Sequence, residues 1–161
     1  MRAFHAAAIA LALASCTPNG IGSTGGGGGG GGAVVHTVDI NLTIYGNATG
    51  TPYGQGAGFK PLILNVSVGD SIVFKNADSF AHTATLIPAN KTSNETSFPS
   101  NYPFSGSALS QSGSALSAGW SSGELPAGST SQTIIVDKAG TYLYGCAIHY
   151  GAPMRAAIVA Q

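Results

Sequence analysis

The sequence predicts an all-β domain, a β-sandwich that carries one long Ser-rich loop. Three observations lead to this. Short runs of β-branched and aromatic residues alternate apolar and polar side chains with a period of two, each bounded by Gly, Pro, Asn or Asp. No stretch shows an amphipathic helical period over a useful length. Hydrophobic residues make up 43 % of the 161-residue chain, enough for a core, although only 7 % of residues are charged. An ordinary globular domain carries roughly 25 %.

Taken in order, residues 34–45 (VVHTVDINLTIY) place Val38, Ile40, Leu42 and Ile44 on one strand face. Residues 62–68 (LILNVSV) bring Leu62, Leu64, Val66 and Val68 into phase. The turn pair Gly69-Asp70 leads into a strand at 71–75, and residues 81–87 (AHTATLI) read as another. Strands at 133–136 and 141–144 flank the turn DKAG, and residues 155–160 close the chain. Several short strands with polar turns pack as a sandwich. Residues 88–126 differ, being rich in Ser, Asn, Gly and Ala. They contain a tandem heptapeptide, SGSALSQ at 105–111 and SGSALSA at 112–118. Two copies are too few for a solenoid or a coiled coil. A long passive loop with at most one short helical turn is expected, anchored by Trp120.

The domain is expected to span 33–161. What precedes it reads as address and tether. Residues 4–14 (FHAAAIALALA) are almost wholly apolar after Arg2. That is too short for a membrane-spanning helix, which needs about 20 apolar residues, and it fits the core of a secretory signal at 1–15. Leu13-Ala14-Ser15-Cys16 resembles a bacterial lipobox, which implies cleavage before Cys16 and acylation of its thiol. Residues 17–32 (TPNGIGSTGGGGGGGG) have no pattern to pack and read as a flexible linker. Its typical span is roughly 20–25 Å. A lipoprotein of the cell envelope is expected, periplasmic or at the outer surface. Thr17 after the cysteine, in place of an Asp that would signal inner-membrane retention, favours the outer location.

Charge and motif narrow the function. Lys+Arg and Asp+Glu are 6 each, which disfavours a nucleic-acid binder, since that needs a basic face. The informative segment is 142–154 (YLYGCAIHYGAPM), where Cys146, His149 and Met154 are spaced C-x2-H-x4-M on one strand-to-strand loop. A thiolate, an imidazole and a weak thioether suit copper, whereas zinc sites prefer Cys and His without Met. The trigonal copper site needs a second imidazole. His36 and His82 are the candidates in the mature chain. His82 is preferred because a strand leads to it through Asn76-Ala77-Asp78, while His36 has no motif around it. Asp70 and Asp78 read as turn residues.

At this point the chain resembles the cupredoxins, the small blue copper proteins, and plastocyanin and pseudoazurin most of all. The blocks are Gly69-Asp70-Ser71-Ile72-Val73-Phe74-Lys75-Asn76 leading to His82, and Gly140-Thr141-Tyr142-Leu143-Tyr144-Gly145-Cys146 through His149 to Met154. The resemblance covers about residue 62 to the end, without the Ser-rich insert. It implies an eight-strand Greek-key sandwich and one mononuclear type 1 copper. His82, Cys146 and His149 would lie in the trigonal plane and Met154 would be axial. It further implies electron transfer through His149, with Tyr150 and Pro153 on the docking surface. Three positions depart from plastocyanin: Gly145 replaces a Tyr, Ile148 a Pro and Pro153 a Gly.

A membrane-tethered one-electron carrier is therefore expected, not an enzyme and not an oligomer. Its partners would be redox proteins such as cytochromes, oxidases or reductases. The alternative is a copper-binding or delivery protein of the envelope, but the chain has 2 Met in all, one of them the initiator. A multicopper enzyme needs further His clusters, and of the 4 His one lies in the signal segment. A metal-free adhesion module would be favoured only if the domain bound no copper.

Overall fold

The computed structural model describes residues 32–91 and 96–161. The signal segment, Cys16 and residues 17–31 of the linker lie outside them. Twelve strands are present among the described residues: β1 (Val35–Ile40), β2 (Thr49–Thr51), β3 (Gly54–Gly56), β4 (Phe59–Lys60), β5 (Ile63–Val66), β6 (Ser71–Asn76), β7 (Thr85–Leu86), β8 (Gln111–Ser112), β9 (Ser121–Ser122), β10 (Ile134–Ile135), β11 (Gly140–Gly145) and β12 (Arg155–Ala160). One sheet has the order β10-β6-β1-β4, the other β5-β12-β11-β7-β9-β8, and β2-β3 form a separate hairpin. Without β8 and β9, which the insert supplies, the two sheets hold the eight strands that the resemblance implies. Among the described residues no helix is long and apolar enough to cross a membrane.

The predicted alternation builds the core. Val38, Ile40, Ile72, Phe74 and Ile134 of the first sheet meet Leu64, Val66, Tyr144, Ala156 and Ile158 of the second in one buried cluster. Strand β12 is buried on both faces, because Ala157 belongs to a second cluster with Ile87, Phe98, Leu143 and Tyr150. Residues 98–104 thus cover the outer face of the second sheet.

Three expectations are corrected. The strand expected over 34–45 stops at Ile40. Asn41 is extended and its side chain accepts from the Ile44 N–H, capping a helical turn at Leu42–Tyr45, so Ile44 is 67 % exposed instead of sharing the core face. The strand expected over 81–87 shrinks to Thr85–Leu86, with His82 in an isolated bridge to Leu125. The insert is not limited to one turn. Among its described residues it holds three 3-10 turns (Ala89–Lys91, Gly106–Leu109 and Leu116–Ala118) as well as β8 and β9.

A buried Ser-rich segment must satisfy its own backbone groups. Here the side chains do so. Ser121 Oγ donates to the Ala108 carbonyl, Ser122 Oγ accepts from the Ala84 N–H, and Gln132 Nε2 reaches the carbonyls of Ser112, Gly113 and Ser121. Trp120 anchors the insert as expected, stacking on Phe74 at 5.1 Å between centroids. The two heptapeptides are not equivalent. The first buries Ala108 and exposes Leu109, whereas the second buries Leu116 completely.

Asp70, in the turn before β6, accepts from the backbone N–H groups of Val34 and Ser67 and pairs with His36 Nε2 at 2.9 Å. This gives His36 a structural partner. The bonds from Val34 and Ser67, then His36, lower the Asp70 pKa from 3.8 to about 2. A depressed carboxyl contributes stability that is present above its unfolded value and lost as pH falls through its folded one. The stability difference between the wild type and Asp70→Asn should therefore be full at pH 5 and shrink between pH 3.8 and about 2. Urea midpoints at each pH measure it. A difference that stays constant down to pH 2 would contradict the assignment.

Candidate metal centre

Asn76 organises the approach to His82. It is buried at the end of β6, and its Nδ2 donates to the carbonyls of Phe80 and Leu125 at 2.8 Å each. Its Oδ1 accepts from the Asp78 N–H. The 76–82 loop is thereby folded tightly and tied to residue 125. His82 then exchanges both backbone hydrogen bonds with Leu125.

Cys146 follows β11 directly. Its N–H donates to the Met154 carbonyl at 2.9 Å, which closes the 146–154 loop on itself, and the Ala152 N–H donates to the His149 carbonyl within it. Thr83 joins this loop to His82. Its N–H points at Cys146 Sγ (3.4 Å), and its Oγ1 accepts from the Ala147 N–H (2.7 Å).

Three donor atoms converge. Cys146 Sγ lies 3.8 Å from His82 Nδ1 and 3.6 Å from His149 Nδ1, and the two nitrogens are 3.2 Å apart. A triangle with these edges has its centre about 2 Å from each corner, matching first-row metal bonds of roughly 2.0–2.3 Å to nitrogen and sulfur. His82 and Cys146 are buried, and His149 is partly exposed. The donor set fits a soft transition metal in position and in chemistry.

Both imidazoles favour the neutral form that binds metal. Burial lowers the pKa of His82 against the opposing pull of Asp78. Burial, then the proximity of His82, lowers that of His149. The Nε2–H of His82 is directed to Asp78 Oδ2 at 3.1 Å, which leaves the Nδ1 lone pair facing the other donors.

Met154 is fully buried in the same cluster as Cys146. Its Cγ lies 2.7 Å from where a Cβ on Gly58 would stand, and Gly58 has φ +73°. Only glycine allows that approach. Tyr150 is corrected: it was expected on the docking surface, yet it is only 5 % exposed. Its hydroxyl donates to the Pro99 carbonyl, and its ring lies 2.7 Å from the position of a Cβ on Gly145. The side-chain space beside Cys146 is thus filled by Tyr150, which explains the glycine there. Pro153 is partly buried.

Sequence reasoning missed Asp78, Thr83, Phe80 and Gly58. Asp78 lies four residues before His82, a spacing that carries information only once the loop is known to fold back. Phe80 packs against both imidazole rings, with centroids 4.7 Å from His82 and 5.4 Å from His149.

Among solved structures the chain is similar to a purple cupredoxin from Nitrosopumilus maritimus, with 17 % identity, 78 % of this chain and 99 % of that one covered, and TM-score 0.48. It is also similar to a pseudoazurin from Sinorhizobium meliltoi (20 % identity, 80 % and 74 % covered, TM-score 0.44) and to a mutant fern plastocyanin (19 %, 78 % and 99 %, 0.44). A search of curated proteins finds no match. A family model for copper-binding proteins of the plastocyanin/azurin type matches residues 48–161, a span that contains all three converging donors. With that match over most of its length, the chain belongs to the plastocyanin/azurin family of copper-binding proteins, and its cofactor is copper.

Proposed function

We propose that this protein is a type 1 blue copper protein carrying single electrons between redox proteins, held at a membrane by a lipid on Cys16 and the linker at 17–32. One observation carries the reading: a thiol and two imidazole nitrogens converge at metal-bonding spacing in a site that is otherwise sealed. His82, Cys146 and His149 would hold the ion, with Met154 as a further, weaker ligand. Bound copper would supply a one-electron couple.

The chain's residues make that couple usable. The Thr83 N–H and the closed 146–154 loop fix Cys146. The bridge to Leu125 fixes His82. Ligands held in this way need little rearrangement between oxidation states. His149 is the partly exposed donor, flanked by Phe80 and Ile148, both more than 40 % exposed. With a formal net charge of zero, docking by apolar contact outweighs long-range steering. Partners of the cytochrome, oxidase or reductase type fit such a surface, in the periplasm or at the outer surface of the cell.

Ile148→Asp tests this. The charge on the docking face should slow electron exchange with a redox partner by about tenfold, the equivalent of about 1.4 kcal/mol, with the visible spectrum unchanged. Unchanged kinetics would contradict the docking assignment. Rapid loss of copper from the wild type to a chelator would favour a delivery protein instead.

A further inference from the structure

The carboxylate of Asp78 has no place in the ligand set, yet it is built into the site. Its side chain is 2 % exposed. Oδ2 accepts from His82 Nε2 (3.1 Å) and from the Thr43 N–H (3.0 Å). Oδ1 accepts from Thr43 Oγ1 (2.7 Å) and from the Ser79 N–H (2.8 Å). No lysine or arginine is among these partners, so the charge is balanced by hydrogen bonds alone. Thr43 sits in the capped turn Leu42–Tyr45, and Asn41 Nδ2 ties that turn to the Ala77 carbonyl. The carboxylate is therefore gripped from two sides and cannot swing away without breaking several bonds.

We propose that Asp78 is a positioning residue for the copper site: it fixes the His82 ring with Nδ1 facing Cys146, and its negative charge favours the more positive oxidation state of the metal. The proposal rests on the copper reading above. Carboxylates behind metal-binding histidines fix the ring and raise its basicity, and their loss typically costs 10–100-fold in metal affinity or activity. Here the carboxylate is buried, where solvent screens it least. Its effect should therefore fall unequally on the two oxidation states.

Asp78→Asn keeps an oxygen that can accept from His82 Nε2 but removes the charge. The visible band should persist. The ratio of copper(II) to copper(I) affinity should fall by at least about tenfold, which raises the reduction potential by about 59 mV for one electron. Thr43→Val removes one donor to Asp78 but keeps its charge and the His82 bond, so any shift in potential should be smaller than that of Asp78→Asn. If Asp78→Asn does not load copper, Asp78→Ser should show the same sign. The reduced wild type gives a reading that needs no variant: the His82 Nε2 proton should be visible by 15N NMR and slow to exchange with solvent. A wild-type band with a potential unmoved in either variant, or a freely exchanging Nε2 proton, overturns this proposal alone. A wild type lacking a Cys146-dependent band overturns the copper reading and this proposal with it.

Discussion

Cys146→Ser protein loaded with copper(II) is expected to lack the intense blue absorption of the wild type. That band arises from charge transfer between a thiolate sulfur and the metal, and serine offers only a hard, weakly acidic hydroxyl. Two imidazoles and an oxygen would still hold copper(II), now in a paler, tetragonal setting. Copper(I), which depends more on the soft sulfur, should lose at least about a hundredfold in affinity, beyond the 10–100-fold range for losing an outer partner of a ligand. The fold should persist. Cys146 is fully buried, but serine is no larger and its hydroxyl can still accept the Thr83 N–H. The metal-free variant should therefore unfold within about 1 kcal/mol of the wild type, near the centre of ordinary substitutions. Absorption titration and urea unfolding measure the two halves. A blue Cys146→Ser protein would show that the thiol is not a ligand.

Trp120→Ala should cost about 3–5 kcal/mol, the range for deleting a large buried aromatic side chain. A whole domain has only about 5–15 kcal/mol. Trp120 stacks on Phe74 and tilts against Tyr144, with its ring in the centre of the main cluster. Its carbonyl also accepts from the Leu86 N–H, so it seats β7 and β9 beside β11. Its indole Nε1 has no hydrogen-bond partner. Trp120→Phe keeps most of the stacked area and removes that buried donor, so it should cost far less than the alanine. Urea midpoints at unchanged slope measure both. A loss below about 1 kcal/mol for the alanine would mean that the insert rests on the domain without being part of its core.

The strands were legible where one face is buried and the other is not. Val38, Ile40, Ile72 and Phe74 stand out in sequence because period-two alternation is what a half-buried strand requires. The candidate donors were legible for another reason. Cys146 and His149 lie within one short loop, so spacing alone nearly specifies that their sulfur and nitrogen meet. What the sequence hid was long-range satisfaction of polar groups. Asn41 looks like a strand residue until Ala77 and Ile44 are seen to bond its side chain. Asp78 reads as a turn residue because its partners, Thr43 and His82, come from either side in the chain. Tyr150 looks like a surface residue until Gly145 is seen to make room for its ring. In the insert, Ser-rich composition hides structure, because serine hydroxyls can replace backbone partners without any hydrophobic period.

X-ray absorption at the copper edge, on the loaded protein in both oxidation states, reads whether one copper sits between His82, Cys146 and His149 and changes oxidation state with little change in its surroundings. Two nitrogen neighbours and one short sulfur neighbour are expected in each state, with nearly the same distances in both. A spectrum with only nitrogen and oxygen neighbours, or one that loses a ligand on reduction, would overturn that arrangement.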